Sequence, residues 1–421
     1  MGENRYMETW VKLNNKMVEG NFTWGTLEEE EDYHQYMSYN LFQIDESKFN
    51  QIKEATEAIG EIVNKTYHYI IDNPTLQLKL NIPYETLDAI QVKSTFFSYF
   101  TRLDLVLNND EIKLIEINCD TPTGYLETSV ANKVICEHHG HDSPNHLEDA
   151  IFNAWIQIMN EYQIDLLKDT VYFTSYGWHE EDRQTVLFNM KHSGLTEENA
   201  KYIPLEDIVV SDDGIYDQEG NKIEFLYRLY PLEHLVDDED DAGRPIGQML
   251  LDFIANGEVK VINPPSAFMM QTKAVMALIW EFAENDRLDL FTREELDAIK
   301  KYFIPTYWTN EPFTAYKHNA IPHVEKPVFG REGGGVKIFD ENFSLVAKDE
   351  EDWYSEYAKV YQKYVEMPEF TIDTWDEPYT GKLLVGSFLI GQEAAGIFIR
   401  VGEKITGNLS MFCGVAVKKD N

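Results

Sequence analysis

Hydrophobic positions change period several times along this chain, and each change marks a new element. Residues 33–71, "YHQYMSYNLFQIDESKFNQIKEATEAIGEIVNKTYHYII", place apolar side chains at helical spacing up to a stop at "DNP". This predicts a mostly helical first hundred residues. In "TRLDLVLNNDEIKLIEIN" the period falls to two: Leu103, Leu105 and Leu107 alternate with Arg102 and Asp104, and Ile115 and Ile117 with Glu116 and Asn118. "NNDE" between the two runs is turn chemistry, because Asn and Asp tolerate left-handed backbone angles. The expectation is an antiparallel hairpin that pairs Asp104 with Glu116 and sets Arg102 beside Asn118, with Asp120 continuing the polar face. Helical spacing returns over 127–164, interrupted by polar residues. "TVYFTSYGWHEEDRQTVLFNMKHSG" reads as strand, loop and helix, and "KYIPLEDIVV" as a further strand, which together suggest an α/β unit. "QTKAVMALIWEFAE" is an amphipathic helix, and from residue 323 onward strands dominate.

The hairpin's polar face gathers acids around one arginine, a costly arrangement unless a cation or an anionic ligand sits there. Carboxylate and amide oxygens are what a hard cation such as Mg²⁺ prefers, so "LIEINCD" is a candidate metal strand. A second informative stretch is "VEKPVFGREGGGVKIF". Its glycines Gly330, Gly333, Gly334 and Gly335 can bring backbone N–H groups close to phosphate oxygens, with Lys326 and Arg331 supplying charge. It is not a Walker A loop, since no Lys-Ser or Lys-Thr follows the last glycine. "CEHHGHDSPNH" concentrates Cys136, His138, His139, His141 and His146, but at no zinc spacing. No HExxH, GxSxG or Rossmann glycine triplet occurs, leaving metalloprotease, serine-hydrolase and nicotinamide chemistry without support.

The formal net charge of −38 argues against nucleic acid as a partner and favours small cations, polyamines included. At 421 residues and 43% hydrophobic the chain can bury a large core. No apolar run has the length of a membrane span, "MGENRYMETW" lacks the features of a signal peptide, and three cysteines without CxxC spacing suit a reducing cytoplasm.

Six blocks in order, "EINCDTPTGYLETS", "LYRLYPLEHL", "INPPSAFMMQTKAVMALIWEF", "EKPVFGREGGGVKI", "VYQKYV" and "VGSFLIGQEAAGIFIRVGEKITGNLSMF", resemble the glutathionylspermidine synthase family. The resemblance spans residues 100–415. It implies an α/β (α+β) ATP-grasp-type synthetase with a helical N-terminal region and an antiparallel β nucleotide-binding region. The expected division is a helical region with the metal hairpin (1–135), an α/β substrate region (136–265) and the ATP-grasp region (266–421). The implied activity is ATP-dependent ligation of a carboxylate to an amine through an acyl phosphate, with glutathione and spermidine as the first substrate pair. By motif, Asp104, Glu116 and Asn118 would hold Mg²⁺, and Arg102 would face the transferring phosphate and the carboxylate. Lys273 and Lys326 would contact ATP phosphates under a cover of Arg331, Gly333 and Gly334, and Gln362 or a backbone group of "VYQKYV" would lie beside the adenine. Arg400 would stabilise the acyl phosphate, Glu180 and Glu181 would receive the polyamine, and Thr121 and Thr123 would touch the peptide. The turn "DTPTGYLET" has Pro122 and Thr123 where better-known members place serines, and "LYRLYP" departs from a Trp-rich version. An amidase half with a cysteine nucleophile is not expected. The rivals are a ligase for another acid and amine, and a catalytically silent nucleotide-binding protein on the same fold.

Overall fold

A computed structural model describes residues 2–29, 32–108, 111–315, 320–331, 333–349, 354, 356–407 and 409–418. Its architecture is mixed α/β: among the described residues three larger sheets form the frame, beside two two-stranded ribbons. The largest runs in the order Met37–Asp45, Met411–Lys418, Glu393–Gly402, Tyr379–Ile390, Phe100–Asn108 and Glu111–Asn118, with Glu369–Ile372 also pairing Tyr379–Ile390. A parallel sheet of Lys260–Ile262, Phe225–Arg228, Val171–Ser175 and Ala200–Pro204 forms the α/β unit that the sequence suggests. A third sheet, wholly antiparallel, orders Thr306–Tyr307, Lys359–Lys363, His323–Pro327, Lys337–Phe339 and Leu345–Lys348.

The helix expected over 33–71 begins only at Glu46. Residues 37–45 are instead a strand, lying parallel to Met411–Lys418 with Leu41 opposite Gly414 and Phe42 opposite Val415. Tyr39, Phe42 and Ile44 are strand formers, and a partner about 370 residues away overrides their helical spacing. From Glu46 to Ile71 the helix forms as expected and buries Ile52, Ile59, Val63, Tyr67 and Ile70. Gly60 lets it lie close on the large sheet: a Cβ there would come within 2.4 Å of Leu389. Thr56 and Ser387 share a buried hydroxyl contact of 2.6 Å at the same junction.

The hairpin keeps the expected register, with Arg102 opposite Asn118 and Asp104 opposite Glu116. Its turn residues Asn109 and Asp110 lie outside the described residues. Immediately after Asp104 the ladder slips, so that Leu105 pairs with Leu114 and Ile115 is an extra residue. A bulge of this kind breaks the two-residue alternation. Ile115 therefore leaves the core face it was expected to share with Ile117, and instead lines a cavity beside Val106, Met367 and Leu384. Asp120 also leaves its expected face, turning away from Glu116 and Asn118 to a buried ion pair with Arg228. Among the described residues no helix is long and apolar enough to cross a membrane.

Candidate active site

A cavity of about 670 Å³ opens between the polar face of the hairpin, the Gly-rich loop and the loops at the end of the parallel sheet. Along the hairpin, Arg102 Nε donates to Asp104 Oδ1 at 2.9 Å, and Arg400, on the strand Glu393–Gly402 beyond Tyr379–Ile390, reaches across to Asp104 Oδ2 at 3.1 Å. Burial alone would raise the Asp104 pKa, but the Arg102 and Arg400 guanidiniums outweigh it and hold the carboxyl below its usual range. On the facing strand Glu116 Oε1 accepts from Lys273 Nζ at 2.7 Å, and the same ammonium donates to the Gly330 carbonyl at 2.9 Å. Lys273 opens the helix Lys273–Glu284 and is 8% exposed, so it is no ordinary solvated helical lysine.

Lys326 lies deeper. Its Nζ donates to Gln362 Oε1 at 2.8 Å and to the bulged Ile115 carbonyl at 3.2 Å. Burial pushes its pKa down to about 8, while the charge of Glu116 pulls the other way. Gln362 gives its remaining amide end to Thr306 at 3.2 Å, so its side chain fixes Lys326 within the cavity. Arg331 pairs with Glu233 at 3.0 Å and approaches the Thr121 hydroxyl at 3.5 Å. Gly333 has φ +82, and a Cβ there would lie 2.6 Å from Ile405, so the Gly-rich loop and the 403–407 loop meet only because this side chain is absent.

Arg102, Asp104, Glu116, Asn118, Thr121, Thr123, Glu181, Lys273, Lys326, Arg331, Gly333, Gly334, Gln362 and Arg400 all line the cavity. Glu180 does not. Its carboxylate turns back along its own helix to Arg183 and Gln184 and reaches the Thr23 hydroxyl. The histidine-rich stretch disperses: His139 contacts the Tyr39 carbonyl, His141 contacts Gln43, and Cys136 Sγ is buried against the Val415 carbonyl. Among the described residues no three His, Cys, Asp or Glu side chains group as metal ligands. Asp104, Glu116 and Asn118 nevertheless fit a hard cation in donor type. Two carboxylates and an amide stand on facing strands, and the Asn118 amide nitrogen is buried without a hydrogen-bond partner. Turning that amide over would present its oxygen.

Sequence reasoning passed over Glu127. Its side chain is 1% exposed, and Oε1 accepts from Trp24 Nε1 and from the Tyr36 hydroxyl, each at 2.9 Å. Its other oxygen has no hydrogen-bond partner, and both Glu127 and Tyr36 border the cavity. The partners come from residues 24 and 36, too far away in sequence for any local pattern to reveal.

The family described as glutathionylspermidine synthase, preATP-grasp, matches residues 6–418. The chain belongs to this family. As a glutathionylspermidine synthase family member it has an ATP-grasp-type synthetase fold. It is 24% identical over 342 residues to a Haemophilus influenzae protein provisionally named acid–amine ligase, covering 74% of this chain and 73% of that protein. Its fold is similar to that of a glutathione synthetase-like effector from Globodera pallida, with a TM-score of 0.60 at 12% identity over 98% of this chain and 96% of that one.

Proposed function

We propose that this chain is an ATP-dependent ligase that joins a small carboxylic acid to an amine, with a glutathione-like peptide and a polyamine such as spermidine as the first pair to test. The observation that carries this reading is one cavity holding Arg102, Arg400, Lys273, Lys326 and Arg331 beside three oxygen donors. None of the three cysteines lines it. Such a set suits phosphoryl transfer, in which the protein positions reactants and neutralises developing charge without forming a covalent bond itself.

The carboxylate oxygen of the acid attacks the γ-phosphorus of ATP, and the bond to the β-phosphate oxygen breaks to release ADP. The amine nitrogen then attacks the acyl carbon, the bond to the phosphate oxygen breaks, phosphate leaves, and the nitrogen loses a proton to give the amide. In this reading Lys273 and Lys326 bind the ATP phosphates, with Gln362 holding Lys326 in place. Arg331, Gly333 and Gly334 close over them, and Arg102 and Arg400 face the transferring phosphoryl group and the acyl phosphate. Thr121 and Thr123 meet the acid, and Glu181, with the unpartnered oxygen of Glu127 nearby, holds the cationic amine. Asp104, Glu116 and Asn118 would hold Mg²⁺, which neutralises phosphate charge when bound.

The test is a screen of acid–amine pairs, starting from glutathione and spermidine, for ADP release that requires both partners. Mass detection should find the acid plus the amine less one water. If no pair raises ADP release above that seen with ATP alone, the reading fails.

A further inference from the structure

Beyond Asn118 the hairpin strand ends, and Cys119 and Asp120 have no place in the sheet ladder. Their backbone groups are nevertheless all satisfied by distant side chains. The Cys119 and Asp120 N–H groups both donate to Gln271 Oε1, at 3.1 and 2.9 Å. Their carbonyls accept from Asn263 Nδ2 at 2.9 and 3.1 Å. Asn263 also binds the start of the partner strand. Its Oδ1 takes the N–H groups of Tyr99 and Phe100, and its Nδ2 donates to the Phe100 carbonyl at 3.0 Å. One side-chain amide thus ties the beginning of one metal-face strand to the end of the other. The Asp120 carboxylate is held in turn by Arg228, at 2.5 and 3.2 Å, and by the Leu232 N–H at 3.3 Å.

Ser98 Oγ, just before the hairpin's first strand, also donates to the Cys119 carbonyl at 2.8 Å, and the other three clamping side chains come from outside the hairpin. Arg228 ends the parallel strand Phe225–Arg228, Asn263 follows Lys260–Ile262, and Gln271 ends the helix Pro265–Gln271. The clamped residues lead directly into Thr121, Pro122, Thr123 and Gly124, which line the cavity. The Thr123 carbonyl accepts from Arg102 Nη1 at 3.2 Å, so the position of this turn also aims the guanidinium that grips Asp104. Burial makes the clamp consequential: Asp120, Arg228 and Asn263 are 1–2% exposed, where an unmade hydrogen bond has no water to replace it.

We propose that Gln271, backed by Asn263 and Arg228, is a positioning residue for acid-substrate selection, holding the Thr121–Gly124 turn and through Thr123 the aim of Arg102. The inference rests on the ligase reading above and adds to it the residues that set its acid end. Because Lys273 and Lys326 are anchored independently, through Gly330, Glu116, Gln362 and Ile115, ATP binding should be spared.

Two variants test this. Gln271→Met keeps the volume but cannot accept the two N–H groups, whereas Gln271→Glu keeps an acceptor oxygen. In Gln271→Met the KM for the acid should rise at least ~10-fold and kcat should fall several-fold, with the KM for ATP within about twofold of normal. Gln271→Glu should recover both to within about threefold. Hydrogen exchange of the Cys119 and Asp120 amides should accelerate in the Met variant and stay slow in the Glu variant, with melting curves showing that both fold. Normal turnover with an unchanged acid KM in Gln271→Met, or a Glu variant as impaired as the Met variant, overturns the inference and leaves the ligase reading standing. The exchange measurement needs no substrate, so undiminished protection in Gln271→Met overturns the clamp whatever becomes of that reading. Absence of turnover in the wild type counts instead against the proposed function.

Discussion

Glu116 sits where two requirements meet: it neutralises Lys273 at 2.7 Å, and it stands opposite Asp104 on the candidate metal face. Glu116→Gln keeps the shape and removes the charge. Turnover should fall at least ~100-fold, and the Mg²⁺ concentration giving half-maximal ADP release should rise, while the melting curve stays cooperative. Unchanged turnover at low Mg²⁺ would remove Glu116 from the site. Lys326 adds a pH signature. Its folded pKa of about 8 lies below its ordinary 10.5, because burial disfavours the ammonium. The stability penalty is therefore fully present below pH 8 and is relieved as pH rises towards 10.5. Bound phosphates favour the ammonium, so ATP binding should take up a proton around pH 8–9, and affinity should fall as pH climbs through that window. Calorimetry in two buffers of different ionisation enthalpy measures the uptake. It should vanish in Lys326→Met, and identical heats in both buffers for the wild type would refute the assignment.

Successive helical residues point about 100° apart, and the helix Glu180–His192 shows the consequence at the scale of an element. Glu180 lies over its i+3 and i+4 neighbours Arg183 and Gln184 and is occupied by them, whereas Glu181 faces the cavity. The acidic pair read from "GWHEED" is thus divided by helical geometry. Glu181→Gln should raise the amine KM about 10-fold or more, with a larger effect for a triamine than for a monoamine, and leave the ATP KM unchanged. Glu180→Gln should cost only local helix stability. Steady-state kinetics on the two single variants decide this, and equal losses would contradict the orientation. The bulge at Ile115 acts at the same scale: one extra residue carries a carbonyl to Lys326, and no alternation of apolar and polar positions foretells it.

At the scale of the molecule, the large sheet joins Met37–Asp45 and the hairpin strands Phe100–Asn108 and Glu111–Asn118 to Tyr379–Ile390, Glu393–Gly402 and Met411–Lys418, so segments far apart in the chain build the sheet that carries Arg102, Asp104, Glu116 and Arg400. Met411–Lys418 lies inside that sheet, between Glu393–Gly402 and Met37–Asp45. A chain ending at residue 410 should therefore lose cooperative unfolding and ATP binding together, even though no described residue beyond Ser410 lines the cavity. Circular dichroism melting and calorimetry would show it. A truncated protein that melts normally and binds ATP would mean that the strand is dispensable.

Local physics made much of this legible in the residues. The two-residue period of 101–118 set the hairpin and its Asp104–Glu116 register, because a strand that slips by one residue exposes its whole apolar face. The ordered motifs of residues 100–415 pointed to the family, and with it to candidate site residues that all line the cavity except Glu180. What the tertiary structure decided depended on partners far away in sequence. Met37–Asp45 is a strand because Met411–Lys418 pairs with it, and Asp120 faces inward because Arg228 meets it. Glu127 reaches the cavity held by Trp24 and Tyr36, and the turn beyond Asn118 is held by Asn263 and Gln271. Periodicity records which face of an element is buried. It carries no record of what that element is buried against, and on that the occupied Glu180, the bulged Ile115 and the clamped turn all depend.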